Sequence, residues 1–203
     1  MIEIVKKIKR RLLPNKSMKA RKALLDKMPK DAICAEIGTW KGDFTKEILS
    51  RTHPRKVYLI DPYEYVGTYK KAWYGGISGS QEKMDEIHNS VCKRFAGQIA
   101  NGQVEILRDK SAPALGNFND SHFDWIYIDG NHTYEFVKED LRISWKKLKN
   151  KGYLTGDDYG IQGWWDDGVT KAVDEFIKEK GDLLKVESIE ESQFILQKIN
   201  SSK

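Results

Sequence analysis

The chain has 203 residues, a length that suits one domain with a core of ordinary size and no need of disulfide or metal staples. Its 35 Lys and Arg against 30 Asp and Glu give a formal charge of +5, with both signs interspersed, which argues against a nucleic-acid-binding surface. The two cysteines, Cys34 and Cys92, have no Cys or His at metal-site spacing, which argues against a disulfide framework or a zinc site.

The first element is a basic run, Lys6, Lys7, Lys9, Arg10 and Arg11, interleaved with Ile4, Val5, Ile8, Leu12 and Leu13 and broken by Pro14. Two readings stay open for it. It touches an anionic membrane surface weakly, or it packs the apolar side of a short helix on the domain and leaves its charges solvated. Residues 1–30 are read as a helical extension and 31–203 as the main domain. No apolar stretch approaches the ~20 residues that span a bilayer, and no signal-peptide core is seen, so a cytoplasmic location is expected.

Strand-like apolar runs at 33–37, 56–60, 104–107, 125–128 and 153–155 alternate with helical patterns. That alternation predicts an α/β fold with a parallel sheet covered by helices on both faces. Runs at 184–187 and 193–198 follow each other without room for a helix, so they pair as a closing antiparallel hairpin and bring the sheet to seven strands. Two helical stripes are expected to face the core: Tyr134, Val137, Leu141, Trp145 and Leu148, and then Val169, Ala172, Val173, Phe176 and Ile177. The stretch 62–80 mixes Gly67, Gly75, Gly76 and Gly79 with Tyr63, Tyr65, Tyr69, Trp73 and Tyr74, and reads as a mobile aromatic loop.

Polar residues gather where the predicted strands end. The first strand runs into Glu36, Gly38, Thr39 and Gly42, a turn whose glycines let the backbone approach a ligand. Its spacing lacks two glycines of the dinucleotide fingerprint, and Glu36 would repel a pyrophosphate while suiting an ammonium group. Asp61 ends the second strand about 20 residues after Gly38, where open α/β sheets place an acid on the ribose hydroxyls. Arg108, Asp109, Lys110 and Ser111 follow the third strand and could reach an adenine edge, or Asp109 or Ser111 simply caps the next helix. Asp129 ends the fourth strand, and Asp157 with Asp158 ends the fifth. Three acids in one crevice need protonation or a cation, and an all-oxygen set suits Mg²⁺ or another hard divalent ion. The competing reading makes one acid of the pair a cap and the other solvated. His132, three residues after Asp129, is a candidate base for a substrate hydroxyl, or a loop-capping histidine.

The order EIGTWKG, LIDPY, ILRDKS, FDWIYIDGNHTYEFVKEDL, GYLTGDDY and GWWDDGVTKAVDEF resembles the class I S-adenosylmethionine (SAM) methyltransferases, and within them the macrocin-type sugar O-methyltransferases. The resemblance implies a Rossmann-like fold and SAM as cofactor, with Glu36 near the methionine moiety, Gly38 approached by the cofactor, Asp61 on the ribose, and Asp109 and Ser111 near the adenine. It also implies Mg²⁺ on Asp129, Asp157 and Asp158, with His132 as base. The expected acceptor is a hydroxyl of a small molecule such as a sugar, a glycosylated metabolite or a catechol. Methylation of an amine or of RNA, and a SAM-binding module without activity, are the alternatives; Asp129-Gly130-Asn131-His132 lacks the Pro-Pro-aromatic pattern of enzymes that methylate base amines. A homodimer is compatible with the sequence.

Overall fold

The computed structural model describes residues 16–72, 74–76 and 79–199. The basic run at 4–13 lies outside them. In chain order the elements are α1 (Lys16–Lys27), β1 (Ile33–Ile37), α2 (Asp43–Thr52), β2 (Lys56–Ile60), α3 (Gln81–Arg94), α4 (Ala96–Ala100), β3 (Val104–Leu107) and α5 (Ser111–Gly116). They continue with β4 (Phe123–Ile128), α6 (Tyr134–Lys147), β5 (Leu148–Gly156), α7 (Gly168–Lys180), β6 (Leu184–Glu190) and β7 (Gln193–Lys198).

One seven-stranded sheet runs β3-β2-β1-β4-β5-β7-β6. Strands β1 to β5 are parallel, while β7 is antiparallel to both β5 and β6, so the closing hairpin forms as its sequence predicts. The chain order reverses between β1 and β4. Loops diverge to opposite faces there, which opens a crevice at the carboxyl ends of the strands.

Side chains alternate across each strand and are buried on both faces, as a covered parallel sheet requires. In β4, Ile126 and Ile128 join Leu141, Trp145, Val173 and Phe176 of α6 and α7 on one side. Trp125 and Tyr127 join Leu24, Leu25, Phe44, Ile48 and Val91 of α1, α2 and α3 on the other. Helix α1 is thus part of the second core layer. Three strands run longer than their sequence predicts, with β4 starting at Phe123, β5 spanning Leu148–Gly156 and β6 ending at Glu190; Leu148 therefore belongs to β5, not to the stripe of α6, because the chain passes from helix to extended backbone there and pairs with Phe123.

Candidate active site

The turn after β1 is built by backbone sterics. Gly38 has φ +88, and a Cβ there would lie 2.1 Å from the carbonyl oxygen of Asp129, so only glycine lets the ends of β1 and β4 meet. Gly42 has φ +73, and its absent Cβ makes room for the Phe95 ring at 2.6 Å, so this glycine answers to packing as well as to the turn into α2. Thr39 between them is buried. Asp61, at the tip of β2, accepts the Trp40 N–H at 2.9 Å on one carboxylate oxygen and the Tyr63 N–H at 2.8 Å on the other. It therefore stitches two neighbouring strand ends together and keeps further lone pairs, since each carboxylate oxygen accepts more than one bond.

Glu36 is only 1% exposed and accepts a hydrogen bond from Thr45 Oγ1 at 2.5 Å. Burial pushes its pKa up to about 8 against that hydrogen bond, with the charge of Asp129 adding to the rise. Burial thus favours the neutral carboxyl, and an ammonium group brought close would favour its ionised form.

Beyond Asp61 a cleft of about 310 Å³ is lined by Pro62, Tyr63, Glu64, Gln81, Arg108, Asp109 and Lys110. Gln81 opens α3 and pins the cleft wall, donating to the Tyr63 carbonyl at 2.9 Å and accepting the Tyr65 N–H at 3.0 Å. Arg108 pairs with Asp85, and Lys110 with Glu64 at 3.3 Å. Sequence reasoning reached Arg108, Asp109 and Lys110 but not Gln81. Ser111 is committed elsewhere, because its hydroxyl donates to Asp140, a buried carboxyl of α6 whose pKa burial pushes up to about 7.

The acidic group lies at the ends of β4 and β5. His132 is wedged between two acids, with Nε2 3.2 Å from Asp129 Oδ1 and Nδ1 3.2 Å from Asp158 Oδ2. One ligand atom from each of Asp129, His132 and Asp158 falls within 4.8 Å of the others. Two carboxylates and an imidazole make a donor set that fits a divalent cation. Burial lowers the His132 pKa, yet the Asp129 hydrogen bond and the charges of Asp129, Asp158 and Asp157 outweigh it and leave the pKa raised. Asp158 takes the left-handed conformation, φ 61, and its pKa is pushed up to about 6 by burial first and by its acidic neighbours second, against the pull of His132.

Asp157 points into a different set of partners. It is 4% exposed and accepts from Ser192 Oγ at 3.0 Å, from Gln193 Nε2, and from the Asp158 N–H at 2.8 Å. Its other oxygen takes Arg21 Nε at 2.8 Å and Nη2 at 2.5 Å. The same Nη2 reaches Asp129 Oδ2 at 2.6 Å. Burial opposes the Arg21 charge, but Asp129, Tyr127 and Asp157 hold its pKa above the ordinary value. Arg21 was absent from the sequence-predicted set. A signal for it exists, because Arg21, Leu24, Leu25 and Met28 follow i, i+3, i+4, i+7 and put an arginine on the apolar face of α1.

An aromatic rim flanks this pole. The Trp165 ring lies 4.6 Å from His132 and 5.7 Å from Trp164, which meets Tyr69 of the 62–80 loop at 5.0 Å. Gly163 lets the Trp165 ring lie on the backbone, since a Cβ there would meet it at 2.6 Å.

Residues 35–159 match the family described as "Methyltransferase domain", and the chain belongs to that family. Membership implies SAM as the methyl donor. Among solved structures, the chain is similar to an rRNA methylase from Streptococcus thermophilus, with TM-score 0.60, 12% identity, and 93% of this chain and 99% of that one covered. It is similar to the N-methyltransferase NodS from Bradyrhizobium japonicum, with TM-score 0.60, 14% identity and coverages of 93% and 100%. The O-methyltransferase NovP gives TM-score 0.58, 17% identity and coverages of 91% and 80%. At such identities the likeness is one of fold, the Rossmann-like methyltransferase fold, and the three names differ in acceptor. No curated protein gives a significant match. Among the described residues, no helix is long and apolar enough to cross a membrane.

Proposed function

We propose that this methyltransferase acts on a hydroxyl of a small molecule, such as a sugar, a glycosylated metabolite or a catechol, received at the pole formed by Asp129, His132 and Asp158. The observation that carries this reading is the placement of His132 between two carboxylates, beside the strand end that Gly38 approaches. When bound, SAM supplies an electrophilic methyl group on a sulfonium. Asp61 would hold the ribose hydroxyls, Glu36 would lie near the amino-acid tail, and the cleft at Asp109 and Lys110 would receive the adenine. Holding donor and hydroxyl in line is worth roughly 7–11 kcal/mol, but an alcohol stays a poor nucleophile until its proton leaves. His132 would take that proton, and Asp129, 3.2 Å from its Nε2, would hold the ring. Mg²⁺ or another hard divalent cation on Asp129 and Asp158 would supply Lewis acidity toward the hydroxyl. The rim of Trp164, Trp165 and Tyr69 supports an acceptor with a flat or ring-shaped apolar face.

The test is transfer of methyl-labelled SAM to a panel of methyl glycosides and catechols. Label on a hydroxyl is expected, lost in EDTA and restored by Mg²⁺. His132→Ala should lower turnover by about a hundredfold or more with SAM affinity retained. Full turnover in EDTA overturns the metal role, and label that reaches only amines or RNA overturns the hydroxyl reading.

A further inference from the structure

We propose that Arg21 is the resident counter-cation of the acidic pole, competing with divalent cations for the oxygens of Asp129 and Asp157. Three carboxylates at the ends of two adjacent strands repel one another unless a positive charge lies among them. The protein supplies one itself. A single guanidinium bridges the two strand ends, with Nε and Nη2 on Asp157 Oδ2 at 2.8 and 2.5 Å and Nη2 on Asp129 Oδ2 at 2.6 Å. It is further held over the Phe44 ring at 5.5 Å and the Tyr127 ring at 6.0 Å.

The carrier of this charge is also fixed. Helix α1 buries Leu24 and Leu25 in the core layer, as does Met28 just past its end. Its outer side pairs with α2 through Lys22 and Glu47 at 3.2 Å and through Asp26 and Arg51 at 2.8 Å. Arg21 therefore divides the acids into two sets. Asp157 is spent on Arg21, Ser192 and Gln193, whereas Asp129 keeps its Oδ1 for His132, which in turn faces Asp158. A divalent ion is left with the oxygens of Asp129 and Asp158 beside His132, and it would bind there against the field of a nearby guanidinium. Removing Arg21 frees both Asp129 Oδ2 and Asp157 and takes that repulsion away. This assignment holds whether or not the reaction uses a metal.

Mn²⁺ serves as the probe, titrated into the full chain and followed by electron paramagnetic resonance, with the fold of each variant checked by circular dichroism. Arg21→Met should bind Mn²⁺ at least about tenfold tighter than wild type, because two carboxylates lose their counter-charge. Arg21→Lys should fall between, since a point ammonium cannot span both acids as the guanidinium fork does. Equal or weaker binding in Arg21→Met, or no binding by either protein, overturns the proposal. Binding by Arg21→Met alone supports it while contradicting a metal role in the wild type. Equal binding by both contradicts it while leaving that role standing. Should Arg21→Met fail to fold, Arg21→Lys carries the test, and an affinity identical to wild type overturns the proposal.

Discussion

Replacing Gly38 by alanine is expected to cost about 3 kcal/mol of stability and to abolish SAM binding, through left-handed strain of about 1 kcal/mol and overpacking of roughly 1–3 kcal/mol. The new methyl would lie 2.1 Å from the Asp129 carbonyl oxygen and 2.7 Å from the Gly130 nitrogen, so β1 and β4 would have to part where the crevice opens. Gly102 provides the control. It has φ +80 but nothing within 4 Å of an added Cβ, so Gly102→Ala carries the conformational strain alone, about 1 kcal/mol. Urea melts of both variants isolate the close approach. Equal destabilisation would show that the meeting of the two strand ends is not the constraint.

Asp157→Asn and Asp158→Asn should behave very differently although the residues are neighbours. The first takes from Arg21 one of its two carboxylates, leaving Asp129 Oδ2 at 2.6 Å, and sets an amide N–H₂ among the Ser192 and Gln193 donors. Because Arg21 keeps Asp129, the expected cost is about 2–3 kcal/mol, below the ~3–5 kcal/mol of a buried pair broken outright. Asp158 has a side chain 23% exposed, paired with His132 at 3.2 Å, and asparagine tolerates its left-handed backbone, so a change within about 0.5–1 kcal/mol is expected. Thermal melts at neutral pH test the contrast. A reversed order would mean that Asp158, and not Asp157, holds the strand ends together.

These two acids also mark how far the sequence could be read. The sheet and its strand ends were legible, because buried parallel strands appear as apolar runs and each run here stops at a polar residue. Gly38, Asp61, Asp129 and His132 followed from that rule, and the structure brings Asp129, His132 and Asp158 together. The roles within the acidic pair were not legible, since Asp157 and Asp158 differ only in which way adjacent side chains turn and in what β7 brings beside them. Arg21 lay 108 residues from Asp129 in a segment rich in basic residues. Its place on the stripe of Leu24, Leu25 and Met28 was the one cue, and a charged residue on an apolar face points to a buried partner without naming it. Ser111 shows the opposite limit: a hydroxyl well placed in sequence to meet a ligand is taken by Asp140, a partner from another helix. Leu148 marks a third, because an apolar residue at a helix-to-strand junction satisfies both periods.

The measurement closest to the central claim is a calorimetric titration of S-adenosylhomocysteine, the product of methyl transfer, into the wild type and Asp61→Ala. Loss of this acid leaves the ribose hydroxyls unpaired at the tip of β2 and should weaken binding by roughly one to two orders of magnitude. One saturable site is expected in the wild type, that loss in the variant, and no tighter binding of NAD. Equal affinity in both proteins, or NAD bound more tightly than the SAM product, would contradict that claim.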